Sequence, residues 1–379
     1  MSSQLLTFQP FKGVYILLLL LTPIPYLACL SLLYVSRPLR PLPGWPHKLC
    51  MRVAIIRVFT RGVATIKYQR APLLTPGKAK ERFALVEPPV NGFSGVLVSS
   101  TVKPAPVGVL WHPGIFQADR RDLTGKRVVL QFTGGAFVLG WDPEETGRDF
   151  ADVMSRRFQA TNTLYVQYRL ARPGSCFPAA LQDTLTAYSY VLDLGVAPED
   201  IFLSGGSAGG NLVIALLRYL ETQQAKFPLP RGVMLFSPWV KVSRDAGQEY
   251  DRSAASQVDV LYGPLLDWGV RAYMPTGDVS PEVGPFISPL NHPFRARTPI
   301  FIQTGTGEAF YPTIRSFAEE MTAVEGNCVR LHKSALAPHD ILMSQKILGL
   351  EFQLEDALDD ARNFFDQAKL ERSGREVGG

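Results

Sequence analysis

The chain has 379 residues, 46% of them hydrophobic and 19% charged, with a formal net charge of +5. That composition excludes an intrinsically disordered chain and allows one large domain or two ordinary ones around a sizeable core. Its four cysteines, Cys29, Cys50, Cys176 and Cys328, lack C-x-x-C spacing, which argues against a disulfide framework or a structural zinc site and leaves them as small buried or membrane-embedded thiols.

In chain order, residues 15–35 (YILLLLLTPIPYLACLSLLYV) carry no charge. A helix of that length, at about 1.5 Å per residue, spans a hydrocarbon core of about 30 Å. The segment is expected to be an uncleaved, single-pass transmembrane helix rather than a signal peptide, because its apolar run continues until Arg37 and Arg40 stop it. Lys12 precedes the span, whereas Arg37, Arg40, Lys48 and Arg52 follow it. The positive-inside bias then favours a cytosolic position for the rest of the chain, with the endoplasmic reticulum as the expected membrane. Pro23 and Pro25 complicate the span, so the opposite sidedness stays open.

From Ser36 to Arg82 there are eleven Lys or Arg against a single acid, Glu81. Such a block beside an apolar segment suits membrane lipids with anionic headgroups. Nucleic acid is excluded as a partner, since no aromatic-interleaved basic repeat or zinc spacing accompanies the charge. Within the block, LCMRVAIIRVFTRGVATI (49–66) reads as a helix with arginines at 52, 57 and 61. It either covers the core with solvated arginines or caps a pocket at the membrane surface.

From Val107 onward, β-branched runs alternate with helical patterns. RVVLQFTGG (127–135), TLYVQYRL (163–170), DIFLSGG (200–206), GVMLFSP (232–238), PIFIQTG (299–305) and CVRLHKS (328–334) read as buried parallel strands. Helices are expected at 143–158, 178–194, 209–224, 260–274, 312–324 and 352–370. The alternation implies an α/β fold, a mostly parallel central sheet with helices on both faces, whose chemistry gathers at the carboxyl ends of the strands. The expected division is an anchor over 1–36, a basic cap or N-terminal region over 37–106, and a catalytic domain over 107–379.

Each chemically suggestive motif falls at such a strand end. Gly205-Gly206-Ser207-Ala208-Gly209 is G-x-S-x-G between a strand and a helix, the setting of a nucleophile elbow. A phosphate loop would need a following lysine or G-x-G-x-x-G spacing, and neither is present. Thr133-Gly134-Gly135-Ala136 follows another strand, where consecutive small residues can turn N–H groups toward a developing oxyanion. Glu308 (GTGEAF) and His339 (LAPHDIL) complete the order Ser…Glu…His, with Ser207 as nucleophile, His339 as general base and Glu308 orienting the imidazole. His332 falls on a strand and is expected to pack or face solvent. His47, His112 and His292 sit near prolines in loops and are read as structural.

Over residues 107–370 the chain resembles the hormone-sensitive-lipase-like branch of the α/β-hydrolase esterases. QFTGGAFVLG is similar to the family's oxyanion loop, and YRLARPGSCFPAALQD (168–183) to its Tyr-Arg-Leu and Phe-Pro-Ala segments. LSGGSAGGNL is similar to its elbow, FSPWV and ISPL to its Ser-Pro signatures, and GTGEAF…HDI to its acid and histidine. With the apolar segment in front, the chain looks most like fungal-type, membrane-anchored steryl acetyl hydrolases.

The resemblance implies an α/β-hydrolase fold with a helical cap, and a serine carboxylesterase that needs no cofactor and no metal. The implied oxyanion donors are the N–H groups of Gly135, Ala136 and Ala208, with Gly134 shaping the loop. Four positions depart from the family pattern: Thr133 stands where His is usual, Ala136 for the third glycine, Gly206 for the Asp before the nucleophile, and Glu308 for the commoner Asp. These changes bear on how the oxyanion loop is anchored, and the hole is expected to survive if Ala136 avoids positive φ.

The expected substrate is a small hydrophobic ester, such as an acetylated sterol or terpenoid. A lyase or formamidase on the same triad and a non-catalytic membrane protein keeping the fold are the alternatives. The insertion 241–298 is expected to line the alcohol side of the pocket together with the N-terminal cap. Its aromatics Tyr262, Trp268, Tyr273 and Phe286 are read first as core residues.

Overall fold

The computed structural model describes residues 13–15, 18, 22–115, 126–223 and 226–377. Eight strands are present among them: β1 (Phe83–Val86), β2 (Val107–His112), β3 (Val128–Phe132), β4 (Asn162–Gln167), β5 (Ile201–Gly206), β6 (Gly232–Phe236), β7 (Ile300–Gly305) and β8 (Val329–Ser334). They form one sheet in the order β1-β2-β4-β3-β5-β6-β7-β8. Six strands, from β4 to β8 in that order, run parallel, while β2 is antiparallel to both β1 and β4.

The longer helices among the described residues are α1 (Pro23–Leu33), α2 (His47–Ile66), α3 (Pro143–Phe158), α4 (Ala179–Asp193), α5 (Ser207–Thr222), α6 (Ala246–Arg252), α7 (Gly263–Tyr273), α8 (Tyr311–Ala323), α9 (Ile341–Leu348) and α10 (Glu351–Val377), with one further helical turn at Gly284–Ile287. All six expected strands and all six expected helices are present, with ends displaced by a few residues.

The central strands read as unbroken apolar runs because both of their faces are covered. Val128, Leu130 and Phe132 pack in one core with Leu181 and Leu185 of α4 and Leu212 and Leu216 of α5. Val129 points the other way with Phe202, Met234 and Phe301, into a second core with Phe158 of α3 and Leu358 and Phe365 of α10. The alternation along each strand is the period-2 geometry of a pleated sheet buried on both sides.

Neither β2 nor β1 is among the six expected strands, and β1 is the harder to see. It is four residues long, edges the sheet and is only partly buried, so neither length nor alternation marks it. His112 is the last residue of β2, paired with Thr163, rather than a loop residue as expected; strand pairing, not the adjacent proline, decides its setting.

The expected transmembrane segment is only partly covered, since residues 16, 17 and 19–21 lie outside the described residues. The described part includes α1, of 11 residues, which buries none of its side chains. Among the described residues no helix is long and apolar enough to cross a membrane. α1 is tied to α2 by the His47 ring, whose Nε2 lies 2.9 Å from the Ser31 carbonyl oxygen.

Candidate active site

β5 ends at Gly206 and α5 begins at Ser207, which takes the left-handed conformation at φ 49°. The reversal is so tight that side chains are excluded around it. A β-carbon at Gly205 would lie 2.4 Å from the Gly209 carbonyl oxygen, and one at Gly209 would lie 2.1 Å from that of Phe132. A β-carbon at Gly210 would press on Pro238 at 2.9 Å. The glycines therefore let β5, α5 and the end of β3 converge, and they hold Ser207 at the tip of the turn.

The strand ends bring Ser207, His339 and Glu308 together. Ser207 Oγ lies 2.8 Å from His339 Nε2, and His339 Nδ1 lies 2.7 Å from Glu308 Oε2. All three residues are buried. The other carboxylate oxygen, Oε1, accepts from the Thr304 hydroxyl at 2.7 Å, the Gly305 N–H at 2.8 Å and the Ser237 hydroxyl at 2.9 Å. With Oε1 so engaged, Oε2 remains to hold the Nδ1–H, which leaves Nε2 as the acceptor for the serine proton. Burial pulls the His339 pKa down, but the Glu308 hydrogen bond and charge, backed by Asp259 and Asp340, outweigh it and hold the imidazole above its ordinary 6.5. Such a triad can activate a hydroxyl and return the proton to a leaving group.

The second strand end carries Thr133, Gly134, Gly135 and Ala136. The condition set on Ala136 is not met: it lies at φ 50°, after Gly135 at 122° and before Phe137 at 63°. A left-handed non-glycine residue costs about 1–2 kcal/mol. The loop tolerates it because it is fastened on all sides. Tyr168 Oη donates to the Thr133 carbonyl at 2.7 Å and Trp141 Nε1 to that of Gly134 at 2.9 Å. The Leu139 N–H reaches the Gly135 carbonyl and the Ala171 N–H that of Phe137, both at 2.8 Å. The Phe137 ring stacks on Tyr273 with centroids 3.7 Å apart. The anchoring that a loop histidine would supply comes instead from two aromatic side chains outside the motif. Ala208 stands in the first turn of α5, where backbone N–H groups have no intrahelical acceptor.

The missing acid before the nucleophile is replaced from elsewhere. A β-carbon at Gly206 would lie 2.5 Å from Asp340 Oδ2, and one at Gly134 would lie 3.0 Å from the same oxygen. The Asp340 carboxyl thus fills the space beside Gly206, where burial pushes its pKa up to about 6 against the pull of His339. Gly206 itself has φ −101°, a conformation open to any residue, so Asp340 and not the backbone requires glycine there. Asp340, Ser237, Thr304 and Asp259 all went unassigned in the sequence. FSPWV and HDI were noted as signatures, yet neither spells out which atoms it contacts.

Beside Ser207 lies a cavity of about 180 Å³ whose walls are mostly aliphatic. Ile56, Phe59 and Val63 of α2 form one wall, and Val260, Leu261 and Leu265 of the insertion form another. The arginine-bearing helix is therefore a cap over the site. Of its three arginines, Arg57 turns inward, donating to the Ser256 and Asp259 carbonyls at 2.8 and 3.1 Å. The insertion lines the cavity with aliphatic residues, and its four named aromatics stay out of it; Tyr273 is buried against Phe137 and Phe177. A wider cleft of about 480 Å³ shares Phe59, Val63, Trp141 and Ile347 with the cavity. His332 pairs with Asp360 of α10 at 3.0 Å, outside the cavity, and His47 and His112 also stand apart from it. Among the described residues no group of three or more His, Cys, Asp or Glu is placed to hold a metal ion.

The sequence profile of the family described as alpha/beta hydrolase fold matches residues 129–343. An esterase of Acinetobacter venetianus is 29% identical over 194 residues, covering 51% of this chain and 61% of that protein. An acetyl-hydrolase of Streptomyces hygroscopicus is 28% identical over 193 residues, with coverage of 51% and 61%. The chain thus spans about six-tenths of the length of these relatives. A crystal structure of an esterase from the bacterial hormone-sensitive lipase family superposes with a TM-score of 0.60 at 22% identity, over 85% of this chain and 99% of that one. The profile covers more than half of the sequence, and the chain belongs to the alpha/beta hydrolase fold family.

Proposed function

We propose that the protein is a serine carboxylesterase that cleaves a hydrophobic ester, with an acetylated sterol or terpenoid as the substrate class. The observation that carries this reading is the unbroken chain from Ser207 Oγ through His339 to Glu308 on the floor of an aliphatic cavity. Ser207 Oγ attacks the ester carbonyl as its proton passes to His339 Nε2. The N–H groups of Gly135, Ala136 and Ala208 receive the oxyanion. His339 then protonates the departing alcohol, and water, deprotonated by the same nitrogen, releases the acid from Ser207.

Support for an acetyl group comes from the relative named acetyl-hydrolase and from the small volume beside the serine. Phe59 and Ile347 line the cavity while staying 56% and 60% exposed, which suits a substrate arriving from an apolar phase. The uncharged residues 15–35 and the basic block behind them support a single-pass anchor in the endoplasmic reticulum membrane.

The test uses the full-length protein in detergent micelles with acetyl, butyryl and longer-chain esters of one hydrophobic alcohol. Hydrolysis fastest on the acetyl ester, with ¹⁸O from labelled water entering the released acid, is expected. Release of the alcohol without ¹⁸O in an acid product would point to elimination, and no turnover of any ester would defeat the proposal.

A pH profile follows from the charges around His339. The base must be neutral to accept the serine proton, and its surroundings favour the protonated form. The rate therefore falls as pH drops through a midpoint above the ordinary 6.5. kcat/KM for an uncharged ester between pH 5 and 10 measures this, and a midpoint at or below 6.5 would count against it.

A further inference from the structure

We infer that Asp259 is a positioning residue whose carboxylate locks together the two loops that carry Glu308 and His339. The inference rests on the serine-hydrolase reading above. Asp259 belongs to the insertion between β6 and β7, outside every motif of the site, and is fully buried. Its Oδ1 accepts from the His339 N–H at 2.9 Å and from the Val260 N–H at 2.8 Å. Its Oδ2 accepts from the Ala309 N–H at 2.9 Å. One planar group thus grips the main chain of the base and the main chain just after the acid, residues 80 and 50 positions away.

The placement matters because the sheet does not reach these residues. β7 and β8 pair only as far as Gly305 and Ser334, so Glu308 and His339 lie on loops beyond the ladder. Their 2.7 Å contact needs the loops held to a few tenths of an ångström. Hydrogen bonds to an ionised carboxylate are about twice as strong as neutral ones, which suits this bracing role.

The chemistry argues against an ordinary turn residue. Among the described residues no Lys or Arg side chain bonds the Asp259 carboxylate; Arg57 reaches only the backbone carbonyl of the same residue. Burying a charge without a cation is expensive, and an asparagine would cap Val260 as well without that cost. What the charge adds is interaction with His339, the cation formed when the serine loses its proton. Three carboxylates face that imidazole: Glu308 from the loop after β7, Asp340 at the start of α9 and Asp259 from the insertion. The Ser207 hydroxyl and, at right angles, the Phe310 ring also lie against it. Through Arg57 the same segment is tied to the cap helix α2, so the seating of the cap and the alignment of the triad share one strut.

Asp259→Asn in the full-length protein tests the role. Its Oδ1 can still accept from His339 and Val260, but its Nδ2–H₂ faces the Ala309 N–H, donor against donor. kcat is expected to fall about 10- to 100-fold with KM changed less than about 3-fold. The pH midpoint of kcat/KM moves to lower pH, because one negative charge beside His339 is gone.

Rates are normalised to active sites titrated with a fluorophosphonate, so loss of folded protein does not count as loss of rate. Unchanged kcat with an unmoved midpoint would overturn the inference. So would a change confined to KM. If Asp259→Asn fails to fold, Arg57→Gln decides: it frees the Ser256 and Asp259 carbonyls and leaves the carboxylate in place. A lower kcat at unchanged KM supports the strut, and an unchanged kcat removes it. If the unaltered protein shows no labelling at Ser207, the serine-hydrolase reading itself has failed; labelling there with parental rates in both variants sinks the role of Asp259 alone.

Discussion

Ser207→Ala is expected to lower kcat for ester hydrolysis by about 10⁴- to 10⁶-fold, the scale seen when other triads lose their nucleophile. The residual rate comes from the N–H groups of the oxyanion loop and from binding, which the substitution leaves in place. The fold should be untouched. Ser207 is left-handed at φ 49°, and alanine, also without a branch, carries the same backbone cost. The variant loses one hydrogen bond, from Oγ to His339. Removing His339 as well should add little, because the two act as one unit. The measurements are steady-state kinetics, fluorophosphonate labelling and a melting curve. Hydrolysis within about tenfold of the parent, with an unchanged melting temperature, would mean that another nucleophile carries the reaction.

Gly206→Asp, which restores the residue usual in the esterases this chain resembles, is expected to be strongly damaging here. The new β-carbon would sit 2.5 Å from Asp340 Oδ2. A second carboxylate would then be buried against one whose own pKa is already pushed up to about 6. Destabilisation of about 3 kcal/mol or more is the scale of an uncompensated buried charge. Displacement of Asp340, adjacent to His339, should cost a further ~10²-fold in kcat. The exchange Gly206→Asp with Asp340→Gly is the informative partner. It moves the carboxylate across the gap, and glycine suits the φ of 52° at position 340. It also removes the Asp340 side chain that caps α9 through the Met343 N–H, a loss of about 1 kcal/mol. The double variant should recover most of the activity lost in the single one. A Gly206→Asp protein as stable and active as the parent would show that Asp340 does not fill that space.

Much of the architecture was legible because it rests on local pattern. The parallel strands are apolar runs buried on both faces, and the helices between them are long enough to show their own period. The elbow was legible for a related reason: its tightest reversal answers to a clash within a few residues, that of Gly205 with Gly209, although Gly209 and Gly210 make room for the distant Phe132 and Pro238. The order of Ser207, Glu308 and His339 followed from where each motif sits after its strand.

What escaped the sequence depends on contacts between distant segments. Nothing near Gly206 indicates that its neighbour is Asp340, 134 positions on, or that Tyr168 and Trp141 do the anchoring once expected of the loop's first residue. Ala136 takes positive φ because the surrounding fastenings hold it there, and an alanine carries no mark of that strain. Asp259 reads as one more acid in an irregular insertion, while the fold sets it between the main chains of the base and the acid. Strands, helices and glycine turns follow from short-range sterics and periodic burial, which residue order records. The neighbours that place a carboxylate or fasten a loop follow from how the sheet brings its ends together, and only the folded chain decides that.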